Sequence, residues 1–468
     1  MGKRIKPFVI ENLEIIDATN EGVSMGKHEN IVVFVPHLIP GDVADVMVMQ
    51  KKRNYYKAQL IELKKESPFR VEPKCPHFGV CGGCKWQHMD YKEQLKYKQK
   101  QVSDAFIRIG KLEFDTINPI IGAEEIYYYR NKLDFAFADR KWLLPHEIND
   151  PNILSEPGLG FHVPKVFDKV IDIQSCFLMD QYADEIRNEI RKYTLENSLE
   201  YYNARKWEGL MRNLVVRKTS MDEWMLIVVF AYESDENSKL LDFIKTRFDK
   251  ISSLFYIINP KKNDSIGDLP VHLYSGKDYI EEEMEGLKFK VSPLSFYQTN
   301  SQQAYVLYKT TRDFAGLTGE ELVYDLYTGT GTIANFVAKN AKKVVGIEYV
   351  EMAIEDAKLN SNKNKIENTV FYAGDMATVL TDEFININGR PDVVITDPPR
   401  AGMHPKVVEQ LIKIKPKRIV YVSCNPATQA RDIDLMRDLY KITKIQPVDM
   451  FPHTQHVENV CCLELISE

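Results

Sequence analysis

The chain has 468 residues, 44% of them apolar and 27% charged, with 7 cysteines and a net charge of −6. At ~150 residues per domain the length suggests about three domains, and the composition excludes wholesale disorder and a disulfide-dense secreted scaffold. No apolar run approaches the ~18 residues of a membrane span, and no signal-peptide core follows the basic start Met1-Gly2-Lys3-Arg4-Ile5-Lys6, so a cytoplasmic protein without a membrane partner is expected.

Residues 8–64 read as short strands at Phe8-Val9-Ile10, Ile31–Val35, Val43–Met49 and Ala58–Ile61, punctuated by Gly22, Gly26, Pro36 and Pro40-Gly41. Several short strands in so little chain predict a small closed barrel, because closure removes sticky edges. A loop rich in cysteine, glycine and proline follows, and then a helical period from Tyr91 to Ile109. Residues 51–110 hold 14 Lys+Arg against 6 Asp+Glu, a local +8, which leaves −14 for the rest of the chain (−6 − 8). That segment is either an electrostatic footprint for RNA or DNA or a solvated lysine-rich face.

Residues 125–290 alternate strands (Tyr127–Ala138, Leu210–Arg217, Trp224–Ala231, Leu254–Ile258) with helices at Leu178–Tyr193 and Ser238–Phe248. Clustered strands with separate helices predict an α+β region. Past Asn300 the order is regular: a helix at Ser301–Phe314, strands at Leu322–Leu326, Val344–Glu348, Thr369–Tyr372, Val393–Asp397 and Arg418–Ser423, and helices between them. This predicts a parallel, doubly wound sheet.

Asp325-Leu-Tyr327-Thr-Gly329-Thr-Gly331 leaves a strand and opens a helix. Its glycines allow a ligand close to the backbone at a helix N-terminus. It is neither a P-loop nor a complete dinucleotide fingerprint. Glu348, 17 residues after Gly331 at the end of the next strand, is placed to accept from ribose hydroxyls. S-adenosylmethionine fits this better than NAD. Asp375 follows the next strand, and Asp397-Pro-Pro-Arg400 ends another at the edge where ligands bind. The bland readings are a tight strand–helix connection and a strand-end turn.

Cys424, in Ser423-Cys-Asn-Pro426, also follows a strand of this sheet, where a thiolate can act as a covalent catalyst. Glu458, after Pro452-His453-Thr-Gln-His456-Val457, is read as a general base supported by the histidines rather than as part of a metal site. Cys461 and Cys462 lie in an apolar strand and read as inert core. Cys75-x5-Cys81-x2-Cys84 points to a metal centre, with Cys176 the one unassigned cysteine left as fourth ligand. Four thiolates suit zinc or an iron–sulfur cluster. One close pair, one outlier and one remote cysteine favour [4Fe–4S].

Taken together, the chain resembles the bacterial RNA (uracil-5-)-methyltransferases, of the type with a TRAM barrel and an iron–sulfur loop. The resemblance rests on Phe296-Tyr-Gln298-Thr-Asn300, Asp325 to Gly331, Asp397-Pro-Pro-Arg-Ala-Gly402, Ser423-Cys424-Asn-Pro-Ala-Thr428 and His456-Val-Glu458, in order. Thr328 stands where many relatives have cysteine. The implied fold class is α/β overall: a TRAM, OB-like barrel (1–64), a central α+β RNA-binding domain with a [4Fe–4S] loop (65–290) and a Rossmann-like class I methyltransferase domain (291–468). Gln298, Tyr327, Glu348, Asp375 and Asp397 would hold S-adenosylmethionine. Cys424 would be the nucleophile, Glu458 the base, and Cys75, Cys81, Cys84 and Cys176 the cluster ligands. Members with both barrel and cluster most often act on 23S ribosomal RNA, and others act on the tRNA T-loop. A uridine in 23S rRNA is therefore the expected substrate, with tRNA the alternative, no DNA partner and a monomer by default. Arg130-Asn131-Lys132 is a further candidate for holding RNA. Competing readings are a non-catalytic RNA-binding protein, which would need neither Cys424 nor Glu458, and a redox enzyme, for which no nicotinamide or flavin fingerprint is present.

Overall fold

The computed structural model describes residues 6–144, 147–148, 150 and 156–466; most of the basic start, Met1 to Ile5, lies outside them. Two units divide the chain. One takes the chain up to Ile126, Pro399–Met403 and everything from Val422 onward; the other takes Tyr127–Pro398 and His404–Tyr421.

In the first unit β1 (Phe8–Ala18), β2 (Ser24–His28), β3 (Ile31–Val35), β4 (Val43–Lys51) and β5 (Tyr55–Lys65) close into the expected barrel, in the order β1-β2-β3-β5-β4. Alternate residues of β4, namely Ala44, Val46 and Val48, point inward against Ile10, Leu13, Val33 and Val35. Each large apolar side chain so buried contributes ~1.5–3 kcal/mol. The strand β2 carries little apolar signal and was not expected. Its Gly26 is required by close approach, since a Cβ there would lie 2.6 Å from the Glu14 carbonyl oxygen. Asp42, fully buried, accepts from the amides of Ile39 (2.7 Å) and Ser67 (2.9 Å) and from Arg70 Nε (3.2 Å), which secures the barrel's exit.

The expected helix spans Tyr91–Asp104, capped by Asp90, and ends in a π turn at Ala105–Ile109. Its buried face is half polar: Gln94 and Lys98 beside Tyr97 and Val102. This unit also holds the helix Pro426–Asp434 and an antiparallel hairpin, Tyr440–Val448 with Glu458–Leu465. Cys461 and Cys462 are buried in that hairpin as core, and burial pushes the Cys461 thiol well up.

In the second unit β6 (Lys132–Ala138), β7 (Gly158–His162), β8 (Val170–Asp172), β9 (Met211–Lys218), β10 (Trp224–Phe230), β11 (Ile251–Ile258) and β12 (His272–Gly276) form one mixed sheet. The order is β12-β11-β10-β9-β6-β7-β8. Helices at Gln181–Glu196 and Asp235–Arg247 complete the α+β region. The strand expected from Tyr127 starts at Lys132, because Tyr128 takes a left-handed φ of 58° that interrupts extension. A hairpin, β13 (Ile280–Met284) with β14 (Leu287–Val291), follows.

The doubly wound part is as expected. Parallel strands β15 (Leu322–Leu326), β16 (Lys343–Glu348), β17 (Thr369–Ala373), β18 (Val393–Thr396) and β19 (Arg418–Ser423) run in the order β17-β16-β15-β18-β19. The winding reverses at β15, and ligands bind beyond the carboxyl ends of strands at such a point.

Candidate active site

In the second unit the chain leaves β15 through two left-handed residues, Tyr327 (φ 64°) and Gly329 (φ 55°), before Gly331 (φ 73°) opens the helix Thr332–Ala338. Above Gly329 a Cβ would meet nothing within 4 Å, so the turn leaves an open cradle. Glu348 borders it at the end of β16. Its Oε2 accepts from the Gly329 amide (3.1 Å) and its Oε1 from the Val350 amide (3.0 Å), so the carboxylate is fixed with lone pairs to spare. Asp375, exposed after β17, caps the short helix Met376–Val379 through the Ala377 amide (2.9 Å). Asp397 follows β18. Tyr327, Glu348, Asp375 and Asp397 thus stand at the ends of four neighbouring strands.

Gln298 lies on the segment before the helix Ser301–Ala315. Its side chain is buried, and its carbonyl accepts from Asn131 Nδ2 (2.9 Å). Asn131 also donates to Ser301 Oγ (2.8 Å), so its side chain is engaged in fixing this segment.

Asp325 was not singled out by the sequence. It is fully buried, and Thr328 Oγ1 donates to its Oδ2 at 2.5 Å. Its Oδ1 is buried without a hydrogen-bond partner of ordinary geometry. Burial, with help from the Asp397 and Glu348 carboxylates, pushes Asp325 up to about 7. Burial likewise pushes Asp397 up to about 7. Two desolvated acids and an orphaned oxygen suit a cationic ligand. S-adenosylmethionine carries an ammonium and a sulfonium, and its ribose hydroxyls suit Glu348, so these residues fit that group.

In the first unit Cys424 is half-buried and lines a cavity of about 630 Å³, a size suited to a nucleotide. The thiol is presented by a fixed loop. Ser423 Oγ accepts from the Asn425 amide (3.1 Å), and Asn425 caps the helix Pro426–Asp434 through the Ala427 amide (3.2 Å). Asn425 Nδ2 (3.1 Å) and Thr428 Oγ1 (3.3 Å) both donate to the Arg400 carbonyl, and Arg431 donates to the Ala401 carbonyl (2.8 Å). The Asp397-Pro-Pro-Arg turn therefore delivers Arg400 beside Cys424. Arg400 Nη2 lies 2.6 Å from Nδ1 of His456, and both residues line the same cavity. Glu458 is buried two residues beyond His456, at the first position of the hairpin's second strand, opposite Val448; Val457, its neighbour, reaches the cavity wall.

Cys75, Cys81 and Cys84 share one half-buried loop of this unit. Gln87 joins two of them: its Oε1 accepts from the Cys75 amide (3.1 Å) and its Nε2 lies 3.1 Å from Cys84 Sγ. Burial pushes the Cys81 thiol up, and nearby Cys75 adds to this. Cys176 is in the second unit, where its amide donates to Asp184 (2.9 Å). Among the described residues no three His, Cys, Asp or Glu are gathered as a metal site.

Residues 271–466 match the family model described as tRNA (Uracil-5-)-methyltransferase, and residues 10–61 match that of the TRAM domain. The chain is 55% identical to an "Uncharacterized RNA methyltransferase" of Bacteroides thetaiotaomicron, over 95% of this chain and 99% of that one. It is 38% identical to another of Chlorobaculum tepidum, over 98% and 97%. Its fold is similar to that of Pyrococcus abyssi tRNA (uracil-54, C5)-methyltransferase in complex with S-adenosyl-L-homocysteine. The TM-score is 0.75 at 29% identity, covering 97% of this chain and all of that one.

Proposed function

Because the chain belongs to the S-adenosylmethionine-dependent RNA (uracil-5-)-methyltransferases, we propose that it makes 5-methyluridine at one uridine of 23S ribosomal RNA through a covalent adduct on Cys424. The observation that carries this is a half-buried cysteine lining a nucleotide-sized cavity beside Arg400 and His456. A methyltransferase acting on an amine would need no thiol there.

C5 of uracil is a poor nucleophile. The Cys424 thiolate adds to C6, and the C5=C6 pair moves to C5. S-adenosylmethionine, when bound, supplies the methyl group and leaves as the thioether with the S–CH₃ electron pair. Once the C5 pair has taken the methyl group, Glu458 removes the proton from C5, the C5–H bonding pair restores C5=C6, and the C6–S pair leaves with Cys424 as thiolate. Gln298, Tyr327, Glu348, Asp375 and Asp397 would hold the methyl donor, and the buried carboxyl of Asp325 would join them. The uracil leaves its stack to enter the cavity, at a cost of a few kcal/mol that single-stranded loops reduce.

The same reading gives Cys75, Cys81, Cys84 and Cys176 a [4Fe–4S] cluster, supported by three thiols on one glycine-rich loop. Methyl transfer is electron-neutral, so the cluster would order that loop rather than cycle. Iron and acid-labile sulfide in equal amounts in anaerobically purified protein would support it, and their absence would remove it. Residues 1–64, 65–290 and 291–468 are proposed to serve as barrel, RNA-binding and methyl-transfer segments of a cytoplasmic monomer.

Full-length likeness to an enzyme named for uracil-54 of tRNA favours tRNA as a second target. The test offers purified protein, labelled S-adenosylmethionine, and total tRNA or protein-free 23S RNA from cells lacking the enzyme. 5-Methyluridine in 23S RNA is expected. The product in tRNA alone would move the target, and none in either would remove the assignment.

A further inference from the structure

Gln94 lies on the inner face of the helix Tyr91–Asp104 and is fully buried. It does not line the cavity, and it spends its amide on a single junction. Gln94 Oε1 accepts from the His453 amide (2.8 Å). Nε2 donates to the carbonyls of Trp86 (2.9 Å) and Met89 (2.8 Å), and lies 3.2 Å from His453 Nδ1. From the other side the Lys85 (2.8 Å) and Trp86 (3.0 Å) amides donate to the His453 carbonyl. Lys85 and Trp86 are the residues that follow Cys84 directly.

His453 needs this grip. It is buried with a left-handed φ of 65°, a conformation strained for a residue other than glycine. Such a conformation persists where its surroundings over-determine it. One turn along the same helix, buried Lys98 pairs with buried Asp449 at 2.5 Å and donates to the Phe451 carbonyl (3.0 Å). The segment from Asp449 to His453, which runs directly into His456 and Glu458, is thus clamped by one helix and by the tail of the cysteine loop.

We propose that Gln94 is a positioning residue for the base: it locks the end of the cysteine loop to His453 and so sets where Glu458 stands for removal of the C5 proton. This rests on the function proposed above. Cys424 is presented by a different loop, anchored through Asn425 and Thr428. Loss of the Gln94 lock therefore slows adduct breakdown more than adduct formation.

The test compares Gln94→Met, which keeps the side chain's volume, with wild type and Glu458→Gln on the same RNA. Expected for Gln94→Met is a kcat lowered about 10- to 100-fold, an unchanged KM for RNA, and build-up of a denaturant-resistant protein–RNA adduct. If Gln94→Met does not fold, Gln94→Glu keeps the oxygen that accepts from His453 and is expected to show the same signature in smaller measure. Wild-type kcat, or turnover and adduct lost together in the folded variant, would overturn the proposal. Adduct in Glu458→Gln with none in either Gln94 variant overturns this inference alone. No adduct in Glu458→Gln overturns the base assignment and this inference with it.

Discussion

Asp325 and Asp397 set the site's response to pH. Burial raises both carboxyls from 3.8 to about 7. The folded, ligand-free protein keeps protons that the unfolded chain gives up, so these groups lower stability as pH rises from about 4 to about 7. A cationic methyl donor prefers their ionised forms. Affinity for S-adenosylmethionine is therefore expected to rise between pH 6 and pH 8, as titration calorimetry at each pH would read; a flat profile would mean that these acids do not face the cation. Cys424→Ala is expected to keep RNA binding and to abolish methyl transfer and adduct formation alike, and retained turnover would remove the nucleophile. Glu348, Asp397 and Cys424 could be proposed from the sequence because each stands at, or just past, the end of an apolar strand. No role could be read there for Asp325, whose burial only the fold reveals, nor for Gln94, a polar residue in a polar helix whose partners include distant His453.

Elements with a clear apolar period were legible: the barrel strands β1, β3, β4 and β5 and the five parallel strands. Those fixed by pairing were not. The hairpin strand β13 reads Ile280-Glu-Glu-Glu-Met284, yet Glu282 is buried because it accepts from the Ser220 amide (2.9 Å) and from Ser301 Oγ (2.8 Å). The barrel strand β2 depends on Gly26, where the Glu14 carbonyl and the Leu13 side chain fill the space a Cβ would take. Gly26→Ala is expected to destabilise the protein by ~1–3 kcal/mol, the usual cost of overpacking. Urea unfolding would measure it, and an unchanged midpoint would show that β1 and β2 can separate without loss.

Over the whole molecule the basic segment proves smaller than its charge count. Lys64 pairs with Asp45, Arg70 with Asp42, Lys98 with Asp449 and Lys100 with Asp17. What stays exposed at the barrel's end is Lys51, Lys52, Arg53 and Lys57, with Tyr55 alongside. Basic groups beside an aromatic ring suit a single RNA strand. Replacing Lys51, Lys52 and Arg53 by alanine is expected to reduce the dependence of log affinity on log salt by about 2, at ~0.7 per phosphate contact on a single strand. Binding across a salt series would read this, and an unchanged slope would move the RNA path off the barrel. No helix among the described residues is long and apolar enough to cross a membrane.

The pairing of Lys98 with Asp449 spans 351 residues of chain. A ribosome adding ~5–20 residues per second needs roughly 20–70 seconds between the two. For that time the barrel can close as it emerges, but the helix behind it leaves the Lys98 ammonium and the Gln94 amide in water, without the partners they later take. It cannot bury them until the segment from Asp449 to His453 has been made. A chain cut short before Asp449 would keep its cysteine loop and its barrel but would lack the partners that Lys98 and Gln94 take from Asp449 and His453.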